Sequence, residues 1–114
     1  MPKRWEYIPI KPLSVNEAWK GRRFKTDKYK HYINAVNLLL PRSFVLPEPP
    51  YKIYFEFGFS SKLSDWDNPI KQIQDIICKK YSFDDKLIRE GNVKTFIVPK
   101  GKEYIKWRIE HLEM

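Results

Sequence analysis

The most constraining feature of the sequence is the segment Tyr51–Phe59, in which large apolar side chains alternate with other residues. Side chains along a β-strand point alternately to the two faces of a sheet, so this spacing predicts a strand with one apolar face. The apolar positions are Tyr51, Ile53, Phe55, Phe57 and Phe59. Such a face has to be covered, and the chain must therefore supply helices that pack against it.

Two segments have the apolar spacing of helices. Across residues 27–40 apolar side chains recur at helical intervals, until Pro41 ends the helix. Asn68 followed by Pro69 predicts the N-cap and first residue of a second helix, whose apolar stripe extends to Tyr81. These two helices are the predicted cover for the apolar strand.

Three further segments are predicted to be strands, namely residues 5–11, 87–98 and 104–112. Residues 12–26 are predicted to form a basic loop, and residues 60–64 a second loop. The predicted order is βαβαββ. This order indicates a single α+β domain over residues 1–114, with a mixed β-sheet packed by two main helices.

The chain is strongly basic, since 22 Lys and Arg against 14 Asp and Glu give a net charge of +8. A basic domain predicts a polyanionic partner. Residues 1–30 carry nine basic and three acidic side chains, whereas residues 65–90 carry six acidic ones. Carboxylates repel phosphate unless a divalent cation lies between them. The acidic segment therefore either binds such a cation or merely caps a helix and lowers the net charge.

Cysteine content and hydropathy indicate a cytoplasmic protein. One cysteine, Cys78, excludes an intramolecular disulfide and any four-cysteine zinc site. The first ten residues contain charged side chains and no apolar run typical of a secretory signal. No window approaches the roughly 18 apolar residues of a membrane span.

The candidate active site lies at the start of the second helix. In an extended segment residues two apart point to the same side, so Asp65 and Asp67 can share one ligand. Lys71 follows Asp67 by one helical turn and can reach the same point. If the chain doubles back after the helix, Asp84 or Asp85 returns towards this pair. Oxygen ligands without histidine or thiolate suit Mg²⁺, or Mn²⁺ as a substitute, rather than zinc.

Three groups of residues occur in an order that resembles one known family. The groups are Pro12-x-Ser14-x-Asn16, Asp65-x-Asp67-Asn68-x-x-Lys71-x-x-x-Asp75 and Asp84-Asp85-x-x-Ile88. Together they resemble the signature of the RusA family of Holliday junction resolvases. This resemblance implies a Mg²⁺-dependent endodeoxyribonuclease of DNA recombination and repair that works as a homodimer and cuts four-way DNA junctions symmetrically.

The resemblance also implies roles for individual residues. Asp65, Asp67 and Asp85 would be the essential carboxylates that hold the metal, and Lys71 the essential lysine. The roles of Asp75 and Asp84 stay open. An independent argument favours a dimer, because two cuts in a two-fold symmetric junction need two sites related by the same symmetry.

Contact with the DNA backbone is expected from a different segment than in the family. Its members often carry an arginine run directly before the Asp-x-Asp pair, where residues 60–64 of this chain provide a single cation, Lys62. We therefore expect phosphate contacts from Lys20, Arg22, Arg23 and Lys25. The alternative is a solvated basic loop.

Aromatic residues near these segments have two interpretations each. Trp19 and Phe24 could stack on bases or pin the basic loop to the core. Trp66, between the two aspartates, could wedge against an unstacked base, but packing beneath its loop is the favoured interpretation.

Other functions are consistent with the same residues. A non-catalytic nucleic-acid-binding module would use the acids as helix caps, but gives no reason for Lys71 one turn from Asp67. The same nuclease could act on flaps, replication forks or packaging intermediates of a phage or mobile element. Asp84-x-Lys86 matches the Asp-x-Lys part of the restriction-type nuclease motif, although a predicted helix separates it from the upstream acids.

Overall fold

The chain forms a four-stranded mixed β-sheet packed against helices, which confirms the predicted α+β class. The structure is a computed structural model that describes residues 4–21 and 24–113. Its elements in chain order are β1 (Glu6–Ile8), α1 (Val15–Ala18), β2 (Trp19–Lys20), β3 (Phe24–Lys25), α2 (Asp27–Leu39), β4 (Tyr51–Phe59), α3 (Ile70–Lys80), a 3₁₀ turn (Asp85–Leu87), β5 (Ile88–Ile97) and β6 (Tyr104–His111).

The apolar strand predicted from the sequence, β4, lies inside the main sheet. The strand order is β1-β6-β4-β5, with β4 parallel to β5 and antiparallel to β6. Phe55 of β4 pairs with Val93 on one side and with Trp107 on the other. The predicted apolar positions of β4 are all buried. The alternation therefore identified both the strand and its inward face.

The core fills the space between this face and the helices. The buried residues from the other elements include Tyr29, Tyr32 and Val36 of α2, Ile73, Ile76 and Ile77 of α3, and Ile105, Trp107 and Ile109 of β6. The connection from β4 through α3 to β5 joins two parallel strands, so α3 crosses back over the sheet. No helix in the described ranges is long and apolar enough to cross a membrane.

The prediction of a loop over residues 12–26 is wrong. This segment contains α1 and a two-stranded hairpin of β2 and β3. Gly21, with a φ of 70°, lies in the turn of this hairpin. The backbone N–H of Thr26 donates to the carbonyl of Ala18, at 3.0 Å, and closes the unit. Trp19 packs edge-on against Tyr29, with 5.5 Å between ring centroids. Strands of two residues are too short to leave a periodic signal in the sequence.

Gly58 provides a test of how tightly the sheet is packed. A Cβ atom at Gly58 would overlap the ring of Tyr104, whose hydroxyl donates to Glu56 at 2.7 Å. Gly58→Ala should therefore lower the free energy of unfolding by roughly 1–3 kcal/mol, measured by urea denaturation. Gly91→Ala is the matched control, since its Cβ would meet Ile53 at an ordinary 3.9 Å. That substitution should be neutral or stabilising by up to about 1 kcal/mol, and equal losses in both variants would contradict the prediction.

Candidate active site

Asp65 and Asp67 lie in the exposed turn that connects β4 to α3. The carbonyl of Asp65 accepts from the backbone N–H of Asn68, at 3.3 Å, and the carbonyl of Asp67 accepts from that of Ile70, at 3.2 Å. These bonds fix the backbone of both aspartates and leave their carboxylates exposed to solvent. Both carboxylates thus lie directly before α3, as predicted. The extended conformation predicted for this segment is wrong, because these hydrogen bonds close two successive turns.

Asn68 contacts the first of these carboxylates rather than capping the helix. Its Nδ2 donates to Oδ2 of Asp65 at 3.4 Å. The helix α3 begins at Ile70 with Pro69 at its N-cap. The predicted cap at Asn68 is therefore wrong by one residue, because the Asn68 side chain is directed back to the turn.

A buried glutamine ties this turn to the chain after β1. Gln72, in the first turn of α3, is 1% exposed, and its Nε2 donates to the carbonyls of Leu13 at 2.8 Å and Asn68 at 2.7 Å. The carbonyl of Asn68 also accepts from the backbone N–H of Val15 at 3.1 Å. The segment that contains Pro12-x-Ser14-x-Asn16 and the carboxylate turn are thereby joined. Gln72 was not among the predicted site residues. Its position next to the apolar stripe of α3 was the signal that this polar side chain could be buried.

Lys71, in the first turn of α3, contacts Asp75 of the same helix and Asp85 of the 3₁₀ turn. Its Nζ lies 3.2 Å from Oδ2 of Asp85 and 3.1 Å from Oδ1 of Asp75. The hydrogen bonds that Lys71 donates to Asp75, the larger cause, and to Asp85 raise its pKa above the ordinary value. The hydrogen bond from Lys71 lowers the pKa of Asp85. Both groups of the Lys71–Asp85 pair are therefore charged at neutral pH.

The structure separates the roles of the two adjacent aspartates after α3. The carboxylate of Asp84 accepts from the backbone N–H of Lys86 at 2.9 Å and caps the 3₁₀ turn. Asp85, one residue later, is directed to Lys71. Asp85 is therefore the member of the pair that belongs to the candidate site, and Asp84 shapes the turn that presents it.

The predicted metal ligands match a hard cation in chemistry but do not form a preassembled centre. Within residues 4–21 and 24–113, no group of three or more His, Cys, Asp or Glu side chains is arranged to hold a metal ion. Asp65, Asp67 and Asp85 are all carboxylates, which is the ligand class that Mg²⁺ and Mn²⁺ prefer. In this arrangement the ammonium of Lys71 is the cation beside Asp85.

The surroundings of the aspartates are open and partly apolar. A cavity of about 250 Å³ lies beside Asp65 and is lined in part by Lys11, Ser61 and Ser64. Trp66 is 59% exposed, so the expectation that it packs beneath the loop is wrong. Leu63, three residues earlier, is 92% exposed. Two large apolar side chains thus border the carboxylates at the surface.

The residues predicted to contact DNA lie on the hairpin of β2 and β3. Lys20 is exposed, and Lys25 is half-buried with its Nζ 5.6 Å from the centroid of the Tyr29 ring. Arg22 and Arg23 lie outside the residues that the structure describes. Of the two aromatic residues considered with them, Trp19 is half-buried against Tyr29, and Phe24 is 72% exposed.

No protein-family model matches this chain, and no curated protein matches it significantly. The resemblance to junction resolvases therefore depends on the motif residues alone.

Replacing Lys71 with Met tests the electrostatic link across the site. The pKa of Asp85 should rise towards its ordinary value, because the hydrogen bond from Lys71 is the largest cause of its lowering. The wild-type pKa of Asp85 is lower in the folded chain, so its contribution to stability is present at neutral pH and is lost as the pH falls through that value. An NMR titration of the carboxyl carbon measures the shift.

Lys79→Met is the control for this titration. It removes an exposed lysine from the last turn of the same helix, and the pKa of Asp85 should stay close to that of the wild type. An unchanged Asp85 titration in Lys71→Met would contradict the prediction.

The buried glutamine can be tested with a neighbour on the same helix. Gln72→Leu removes the donor to the carbonyls of Leu13 and Asn68, and should lower the free energy of unfolding by about 1–3 kcal/mol. Gln74→Leu alters a half-buried glutamine of α3. It should change the free energy of unfolding by no more than about 0.5 kcal/mol. Urea denaturation compares the two, and similar losses would show that the Gln72 bonds do not hold the turn.

Proposed function

We propose that this protein is a Mg²⁺-dependent, structure-specific endodeoxyribonuclease that resolves four-way DNA junctions as a homodimer. The observation that carries the proposal is the 3.2 Å contact between Nζ of Lys71 and Oδ2 of Asp85, residues 14 positions apart. This contact joins the two motif halves that the resemblance to junction resolvases requires to act together. Helix-capping roles for the acids give no reason for it.

Lys71 acts in this proposal as a fixed positive charge. Its raised pKa excludes a role as a general base near neutral pH, because the neutral amine would be scarce. An ammonium held by Asp75 and Asp85 can instead stabilise the negative charge that develops on a phosphodiester oxygen during hydrolysis.

Asp65, Asp67 and Asp85 would hold the metal ion. When bound, Mg²⁺ supplies a water of lowered pKa as the nucleophile and balances charge on the phosphate. The exposure of Asp65 and Asp67 leaves their oxygens accessible to an ion from solvent. Asn68, hydrogen-bonded to Asp65, would keep the first carboxylate oriented.

Branched DNA is favoured over linear duplex by the surroundings of the carboxylates. Leu63 and Trp66 are largely exposed beside them. Apolar side chains of this kind stabilise unstacked bases, which a branch point offers and a regular duplex does not. The net charge of +8 supports binding to the phosphates of branched DNA and of linear duplex alike.

A homodimer is proposed because two opposed strands have to be cut. A two-fold symmetric pair of chains would present two sites to a two-fold symmetric junction. The edge strand β5 offers a surface for such pairing, since it is ten residues long and, within the described residues, has a strand neighbour on one side alone.

The decisive experiment incubates the full chain with a labelled synthetic four-way junction and Mg²⁺, beside linear duplex of the same sequence. Paired nicks in opposed strands are expected, with a protein that sediments at twice the mass of the chain. Asp67→Asn should lower the cleavage rate by at least about a hundredfold, which corresponds to about 3 kcal/mol. Asp27→Asn, which alters an exposed carboxylate in the first turn of α2, is the matched control and should cleave normally.

Each alternative function has its own result in this experiment. Junction binding without cleavage in Mg²⁺ or Mn²⁺ would indicate a non-catalytic binding module. Equal cutting of linear duplex would retain the nuclease and contradict its junction specificity. Preference for flaps or forks would change the substrate and keep the site.

A further inference from the structure

A second cavity lies between the hairpin of β2 and β3 and the helices α2 and α3. Its volume is about 220 Å³. Trp19 and Tyr29, which pack edge to face at 5.5 Å, form an aromatic wall, and Ile33 and Ile76 contribute aliphatic surface. Drug-sized ligands usually occupy about 300–1,000 Å³. The smaller volume here fits one flat ring system rather than a base pair.

The polar side chains that line this cavity are complementary to the groups of a nucleotide. Asp75 and Asn37 line it together with the apolar residues, and Lys25 and Lys79 are its cations. A carboxylate accepts a hydrogen bond from an exocyclic amine of a base, whereas a carbonyl at the same position of the base would repel it. The two lysines can neutralise the phosphates on either side of that base.

The cavity is connected directly to the candidate active site. Asp75, which lines the cavity, lies 3.1 Å from Nζ of Lys71, and the same Nζ lies 3.2 Å from Asp85. A ligand bound against Asp75 is thus separated from Asp85 by one side chain.

We propose that this cavity binds a single extrahelical nucleobase that carries an exocyclic amino group, next to the phosphodiester cleaved at the Lys71 site. The location of the cleaved bond rests on the proposed function, but the base site itself does not require cleavage. The base lies against Trp19 and donates its amino group to Asp75. Bases unstacked at a branch point are available for such binding at little energetic cost.

The test uses binding without metal, so that it is independent of the nuclease. The ¹⁵N-labelled full chain is titrated with a tetranucleotide of deoxycytidine and with one of deoxyuridine, which carry the same charge. Cytosine has an amino group at C4 and an acceptor at N3, whereas uracil has a carbonyl at C4 and an N–H at N3. Deoxycytidine should shift the indole N–H of Trp19 and the side-chain amide of Asn37, and should bind about tenfold tighter than deoxyuridine.

Variants locate the binding in the cavity. Ile33→Trp fills the space and should abolish the shift of Trp19, whereas Asn34→Trp, which adds the same ring on an exposed position of α2, should leave it. Asp75→Asn provides both a donor and an acceptor, so the preference for deoxycytidine should fall towards one. This loss of selectivity keeps the proposal testable if Ile33→Trp fails to fold.

Equal affinity for the two tetranucleotides would overturn the proposal, because it would indicate binding of phosphate alone. The absence of shifts at Trp19 and Asn37 would overturn it as well. Junction cleavage without selective binding here would retain the nuclease and remove the base site. Selective binding without cleavage would retain the base site and contradict the proposed function.

Discussion

The packing of α3 across the apolar face of β4 is the contact on which the rest of the structure depends. The strand β4 lies between a parallel and an antiparallel neighbour, and its inward side chains are buried. Ile73 and Ile77 of α3 are completely buried in the same core. Burial of one such side chain stabilises the fold by about 1.5–3 kcal/mol. The position of α3 on the sheet is therefore strongly determined, and α3 carries Lys71, Gln72 and Asp75.

The arrangement of the candidate site follows from this packing. Since β5 is parallel to β4, it has to begin beside the start of β4, where Ile88 pairs with Tyr51. The 3₁₀ turn that precedes Ile88 therefore lies next to α3, the helix that connects the two strands. Asp85 in that turn meets Lys71, which extends from the first turn of α3. Gln72 fixes the opposite end of the arrangement, because it bonds the turn before α3 to the chain after β1. One helix thus joins three segments that are far apart in the sequence.

The sequence predicted the parts of the structure that depend on burial over several residues. The alternation in β4 and the stripe of α3 each contain many apolar positions, so their type and inward faces followed directly. The hairpin of β2 and β3 was missed, because it is held by a few specific contacts, such as that of Trp19 with Tyr29. The spacing of residues also could not predict which of Asp84 and Asp85 contacts Lys71. That depends on which of the two carboxylates caps the 3₁₀ turn.

Electrostatics connects the basic composition of the chain to the acidity of the candidate site. The carboxylates of Asp75 and Asp85 both contact the ammonium of Lys71. This three-residue cluster carries one more negative than positive charge, on a chain whose net charge is +8. A net positive charge attracts polyanions from a distance, whereas carboxylates repel a phosphodiester at close range. On the proposed function, a divalent cation removes this repulsion at the carboxylates, while Lys71 remains in place as the fixed charge. On this proposal the chain would attract DNA in the absence of metal and would still need metal to bring the cleaved bond to the site.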